Sequence, residues 1–252
     1  MQSKETMTEE EFLKQYKPEK YEKPSVTVDI LIFTMNREQQ LQLLLIQRGK
    51  HPFLGKWAIP GGFVQMKESL EEGAARELRE ETGLTGIYLE QLYTFGAVER
   101  DVRMRVISVA YLALVPANRI NLQAGDDAAD ASLFTVEQTE QGFTLSSKEK
   151  NCTLTEEDLA FDHSEIIRTA LERLRGKVRY SDIALELLAD KEKFSIYELQ
   201  RIYESLAGKK ADTANFRRSF KKKFIDTGRV EKLEEKCFTY SKKPSSYYKL
   251  LK

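Results

Sequence analysis

The chain has 252 residues, enough for one large or two small domains with a substantial core. Lys plus Arg and Asp plus Glu each total 40, so the formal net charge is zero. Two cysteines, a charged N-terminus and no run of about 18 apolar residues argue against a disulfide frame, a zinc site, a signal peptide and a membrane span.

The zero net charge hides an asymmetry. Lys177 to Lys252 holds 19 Lys and Arg against 11 Asp and Glu, and the remainder holds 21 against 29. An acidic front and a basic back suggest two domains with different partners. Cys152 and Cys237 are expected to be reduced thiols of a cytoplasmic protein.

Residues 1–24 read as a polar N-terminal extension. Thr8 to Tyr16 suits a short helix that would offer Phe12, Leu13 and Tyr16 to a partner. Val26 to Phe33 is β-branched and apolar, a strand buried on both faces. Leu41 to Gln47 is its hairpin mate. A Gly- and Pro-broken loop follows, with a short strand at Trp57–Ile59. Trp57 reads as core. In that loop His51 reads as a surface or loop-stabilising residue. Arg48 is either a phosphate contact or a surface charge.

The stretch from Gly62 to Leu84 organises everything else. It carries Gly62, Glu68, Arg76, Glu77, Glu80, Glu81, Gly83 and Leu84 at fixed spacing. Ser69 to Thr82 suits a helix that stops at Gly83, with Gly73 weakening it slightly. On that helix Glu77, Glu80 and Glu81 stand at i, i+3 and i+4, so their carboxylates share one side. Arg76 lies one turn before Glu80 and can orient it. Three like charges within one turn repel, and a hard divalent cation relieves the cost. Oxygen-only ligands suit Mg²⁺ or Mn²⁺. A plain acidic helix face would show the same carboxylates.

The pattern Gly-x5-Glu-x7-Arg-Glu-Leu-x-Glu-Glu-x-Gly-Leu resembles the Nudix box at every defining position. The resemblance implies an α/β fold, an α/β/α sandwich around a mixed sheet. It also implies a loop–helix–loop that holds Mg²⁺ against a diphosphate and hydrolyses nucleoside diphosphate derivatives. Glu77, Glu80 and Glu81 would be the metal ligands. Arg76 would orient them, Glu68 would assist, and Gly61 and Gly62 would let backbone approach metal and phosphate.

Ile87–Thr94 and Arg105–Leu114 read as further strands. Between them, RDVRMRVISVAY resembles a segment of Nudix enzymes acting on ADP-ribose. That would put Arg103 or Arg105 near the substrate or at a dimer surface. A basic edge strand is the plainer reading. Residues 121–132 read as an acidic, Ala-rich loop before a strand at Leu133–Val136. Gln138 to Thr155 suits a hairpin, and Glu140, Glu149, Glu156 and Glu157 are candidate general bases. Leu159 to Lys177 reads as a helix with an Ile166, Ala170, Leu171 and Leu174 stripe, capped at Ser164 or Asp162 and stopped near Gly176.

The last third reads as helices at Ser181–Leu188, Ser195–Leu206 and Asp212–Ile225, then strands at Arg229–Leu233 and Phe238–Tyr240 around a Lys/Glu turn. In the third helix Phe216, Phe220 and Phe224 recur every four residues. Arg217, Arg218, Lys221 and Lys222 point elsewhere. Helix, helix, basic helix and hairpin is the order of a winged helix-turn-helix, whose third helix enters a DNA major groove. A basic appendage serving only dimerisation is the alternative.

A Nudix domain followed by FSIYELQRIYESLAG and NFRRSFKKKF resembles the Nudix-related transcriptional regulators of NAD metabolism. The expected domains are residues 25–176 and 177–252. Such regulators often carry an eroded box, whereas this one is intact. The leading expectation is therefore a Mg²⁺-dependent hydrolase of ADP-ribose or a similar nucleotide, bearing a winged helix for double-stranded DNA and forming a homodimer. The rival is an ADP-ribose sensor that represses transcription with little turnover.

Overall fold

The computed structural model describes residues 7–120, 128–139, 142–237 and 244–251. Helix α1 (Glu9–Gln15) starts at a full capping box between Thr8 and Glu11 and buries none of its residues. The mixed sheet follows. Its strands run β5–β6–β1–β2–β7–β8–β9 in space, with β3 added on β2 and β4 on β1. They span Ser25–Met35 (β1), Leu41–Arg48 (β2), Trp57–Ala58 (β3), Gly61–Phe63 (β4), Tyr88–Phe95 (β5), Val106–Leu114 (β6), Ala128–Gln138 (β7), Phe143–Ser147 (β8) and Cys152–Leu154 (β9).

β1 runs parallel to β6, pairing Val28 with Val109 and Ile32 with Ala113. It runs antiparallel to β2, pairing Phe33 with Leu43. Strand alternation sends Val28, Ile30 and Ile32 to one face and Leu31 and Phe33 to the other. Helix α2 (Leu70–Thr82) covers the first face with Ala74 and Leu78. Helix α3 (His163–Lys177) covers the second with Ile166, Ile167, Ala170, Leu171 and Leu174. Burying each large apolar chain contributes roughly 1.5–3 kcal/mol. The result is the expected α/β/α sandwich, and Trp57 is core, edge-on to Phe134.

The basic third folds as a 3₁₀ turn (Ile183–Leu187), α4 (Ile196–Ala207), α5 (Thr213–Phe220) and a three-stranded sheet. That sheet is ordered β10 (Phe194–Ser195), β12 (Ser245–Leu250) and β11 (Val230–Cys237). The Ser195 hydroxyl caps α4 by accepting the Glu198 N–H. α5 starts at an Asp212 cap, and its last turn, Lys221–Ile225, widens to a π-helix. Phe220 and Phe224 are buried and Phe216 packs against them.

Several expectations need correction. Ala128–Ser132 belongs to β7, not to a loop, because pairing with Arg48, Gln47, Ile46 and Leu45 of β2 overrides the weak strand propensity of its Ala and Asp. Residues 121–127 of the expected loop lie outside the described residues. The first helix of the basic third is a short 3₁₀ turn. The hairpin pairs Val230 with Leu250 and Cys237 with Ser245, so the Lys/Glu run is strand rather than turn. The expected strand at 238–240 lies outside the described residues. α3 begins only at His163, after an Asp162 N-cap, because Leu159 and Ala160 are held against Trp57. It runs through Gly176.

Among the described residues no interdomain gap interrupts the core. One apolar cluster continues from Leu41 and Leu43 through α3 and Val178 to Leu185, Leu199, Ile202, Leu206 and Phe220. No helix among the described residues is long and apolar enough to cross a membrane, and neither Cys152 nor Cys237 is in a disulfide.

Candidate functional site

The box helix is built from its ends inward. Ser69 and Glu72 form a capping box, and Gly83 ends the helix in the left-handed conformation at φ 70°. This fixes the turn that presents Glu77, Glu80 and Glu81. Glu77 and Glu81 are buried, while Glu80 is about half exposed. Arg76 sits at the centre. Its guanidinium donates to Glu68 at 2.8 and 3.1 Å, to Glu77 at 2.7 Å, to Glu80 at 3.2 Å and to the Phe63 carbonyl at 3.2 Å. Sequence spacing anticipated only the Glu80 contact.

These contacts divide the carboxylates. Arg76 first, then the Gln65 N–H, holds the Glu68 carboxyl down to about 2. Burial pushes Glu77 up, and Arg76 opposes that shift. Burial, then the charges of Glu77 and Glu80, pushes Glu81 up to about 7. Glu81 Oε2 is buried and has no hydrogen-bond partner. Among the described residues no group of three or more His, Cys, Asp or Glu side chains converges as a metal cage.

Two glycines make this packing possible. A β-carbon on Gly62 would stand 2.2 Å from Glu77 Oε1, so a larger residue there would displace the carboxylate that Arg76 holds. A β-carbon on Gly73 would stand 3.1 Å from Glu68 Oε1. Gly73 is therefore room for Glu68 rather than only a weak point in the helix.

Beside Gly62 opens a cleft of about 280 Å³. Arg48, Arg100, Arg103, Phe63, Phe161 and His163 line it. Two larger hollows, of about 420 and 450 Å³, lie in and beside the basic domain and contain no box residue. Behind the lining Phe161 packs against Phe53 with ring centroids 4.7 Å apart and planes tilted by 60°, both residues at positive φ. Such backbone strain in bulky residues concentrates at ligand clamps. The Arg48 guanidinium lies 4.9 Å above the Phe161 ring and donates to the Pro52 carbonyl. Arg103 also reaches that ring and is paired bidentately with Asp101. Arg105 is turned away, donating to the Gly96 and Ala97 carbonyls, and is not part of the cleft lining. His51 lines the rim. Glu149, Glu156 and Glu157 lie outside the lining, and Glu140 lies outside the described residues.

The back of the cleft holds a polar cluster that sequence reading missed. Arg100 donates to both oxygens of Asp162, at 2.7 and 2.9 Å, and approaches Asp29 at 3.5 Å. Ser108 donates to the same Asp29. The Ile59 N–H donates to His163 Nδ1 at 2.8 Å, which places the imidazole proton on Nε2. Burial pushes the His163 pKa down, so the ring is neutral. These residues come from five separated segments, and no local motif marks them.

On the basic domain Arg217, Arg218, Lys221 and Lys222 are all exposed along α5. Lys223 and Arg229 instead pair with Asp182 at 2.5 and 2.7 Å, which ties α5 and the following strand to the 3₁₀ turn.

Comparison with known proteins gives two family matches. Residues 23–152 match the NUDIX domain, and residues 184–250 match the NrtR DNA-binding winged helix domain. The chain is 33% identical over 246 residues to the ADPR responsive transcriptional repressor NtrR of Acinetobacter baylyi, covering 96% of this chain and 88% of that one. A MutT/nudix family protein from Enterococcus faecalis superposes with a TM-score of 0.77 at 36% identity, covering 97% and 94%. Shewanella oneidensis NrtR complexed with a 27mer DNA superposes with a TM-score of 0.69 at 33% identity, covering 90% and 93%.

Proposed function

Since the chain belongs to the Nudix family and carries an NrtR-type winged helix, we propose that it is an ADP-ribose-responsive regulator that binds double-stranded DNA as a homodimer. The observation that carries this reading is the course of α3. Its first residue, His163, lines the cleft, and its N-cap Asp162 pairs with Arg100 of the lining. Its last apolar residues share one core with α4 and α5. A ligand in the cleft and a duplex on α5 thus act on the two ends of one packed element. Linkage between them needs only that α3 have two arrangements.

In this reading Arg48 and Arg103 meet the diphosphate of ADP-ribose or a related nucleotide, as guanidinium groups suit. Phe161 offers a planar face to stack on. Arg217, Arg218, Lys221 and Lys222 neutralise DNA phosphates and reach base edges. The sequence ranked hydrolysis first, but the relative matched over nearly its whole length is a repressor, which reverses the order.

Hydrolysis is the second reading, favoured by the complete box. The donor set fits Mg²⁺ or Mn²⁺ in chemistry. Glu81 has a buried oxygen with no partner, Glu77 abuts the Gly62 backbone, and the candidate donors are all oxygens. Glu77, Glu80 and Glu81 would hold the ion, with Glu68 and the Gly62 backbone supporting them. A bound ion would activate water and neutralise phosphate charge. Arg76, which now gathers Glu68, Glu77 and Glu80, would have to give up part of its hold.

The test is to incubate the full chain with ADP-ribose and Mg²⁺, identify the products, and titrate a labelled duplex from the promoter region of its neighbouring genes. The regulator reading expects salt-sensitive DNA binding with ADP-ribose largely intact. Rapid release of AMP and ribose 5-phosphate, with no DNA binding at low salt, would leave the hydrolase reading alone.

A further inference from the structure

We propose that the Arg100–Asp162 ion pair is a latch, opened when an anionic group of the effector takes Arg100. The proposal rests on the effector-responsive reading above. Asp162 occupies the N-cap position of α3: its carbonyl accepts the Glu165 and Ile166 N–H groups at 3.0 and 3.2 Å. An aspartate there normally turns its carboxylate onto an N–H of the first turn, from a β-region backbone. Asp162 does neither. Its backbone is at φ −96° and ψ 20°, and its side chain makes no cap bond. Both carboxylate oxygens go to Arg100 instead.

Arg100 is the cation that can be drawn away. Its side chain is only 5% exposed, yet it lines the cleft. Its second carboxylate, Asp29, is farther off at 3.5 Å and already accepts from Ser108. A phosphate in the cleft offers Arg100 a bidentate partner of higher charge than Asp162. Asp162 then has a second use, because its carboxylate can turn onto a first-turn N–H of α3, the ordinary capping role. Each arrangement satisfies the carboxylate, so Asp162 has two discrete states rather than a continuum. His163, the next residue, is pinned to the Ile59 N–H, so a change at Asp162 is passed along α3 rather than lost in a loop. The far end of α3, with Leu174 and the Val178 that follows it, lies in the same apolar cluster as Leu199, Ile202 and Leu206 of α4.

The test uses the full chain without divalent metal, and Asp162→Asn. Asparagine caps helices as well as aspartate but cannot form the ion pair. ADP-ribose affinity, DNA affinity and their mutual effect are measured for both proteins. The wild type should show coupling of roughly 5- to 150-fold. The variant should bind ADP-ribose at least as tightly, because Arg100 has lost a competitor. Its DNA affinity should sit at the liganded value from the start, and coupling should shrink to about twofold or less on the same scale. Wild-type coupling in Asp162→Asn would overturn the latch while leaving the regulator reading standing. No coupling in the wild type, with both ligands bound, would overturn both. Hydrogen exchange on the wild type gives a readout that needs no variant. ADP-ribose should raise protection at the first-turn amides of α3, and unchanged protection there would overturn the latch.

Discussion

The Leu41 N–H donates to the Ser205 hydroxyl across 3.0 Å, which ties the start of β2 to helix α4 of the winged helix. Leu41 is 2% exposed, so its amide has little water to fall back on. The bond belongs to the same contact that joins Leu41, α3 and Leu206 in one cluster. Ser205→Ala should lower stability by about 1–3 kcal/mol, as expected when a buried donor loses its partner. Denaturant melts followed separately by Trp57 fluorescence and far-UV circular dichroism check this. If the two domains melt as one unit in the wild type, the variant should begin to separate the transitions. Identical, coincident melts would show that this contact does not join them.

Glu81 is the most direct probe of the metal. A divalent ion that binds only the folded chain raises its stability, by about 2.7 kcal/mol at a hundredfold excess over Kd. Mn²⁺ should therefore raise the wild-type melting temperature. Glu81→Gln should fold as well as the wild type and lose that response, along with any hydrolysis. Equal Mn²⁺ stabilisation of both proteins would remove Glu81 from the ligand set.

DNA binding should follow α5. Arg217→Ala with Lys221→Ala should weaken binding to every duplex and lower the slope of log K against log salt by about one per lost phosphate contact. ADP-ribose binding, read by calorimetry, should not move. An unchanged DNA affinity would take α5 off the duplex.

Asp182 gives the winged helix a defined response to acid. Burial pushes its carboxyl up, but pairing with Lys223 and Arg229 outweighs burial and leaves it below the usual value. A depressed folded pKa means the stabilisation is full above the unfolded carboxyl pKa and is lost as pH falls through the folded one. Melting temperature should therefore fall on acidification in the range below about pH 4. Asp182→Asn should be less stable at neutral pH and show a shallower acid slope. Parallel pH profiles for both proteins would contradict this.

The readable parts of the chain were those where one local pattern carries the whole message. The box helix has its cap, its carboxylates and its terminating Gly83 within one segment, and α5 shows Phe216, Phe220 and Phe224 at one spacing. The cluster of Asp29, Arg100, Asp162 and His163 was unreadable for the opposite reason. Each residue is ordinary in its own segment, and only the packing of α3 against the sheet brings them together. Similarly, Gly73 reads as a flaw in a helix until Glu68 is seen beside it. The charged run in β11 reads as a turn because an exposed strand of a small sheet tolerates charges that a buried strand would not.

In the regulator reading the cleft and the DNA surface are thermodynamically linked. The measurement is a titration of operator duplex with and without saturating ADP-ribose, in metal-free buffer so that the ligand persists, with ADP-ribose affinity measured in the same buffer. DNA affinity should shift by roughly 5- to 150-fold, and ADP-ribose affinity by the same factor when it is titrated with and without duplex. ADP-ribose that binds, with a DNA affinity that does not move, would contradict it and leave two tethered domains that do not communicate.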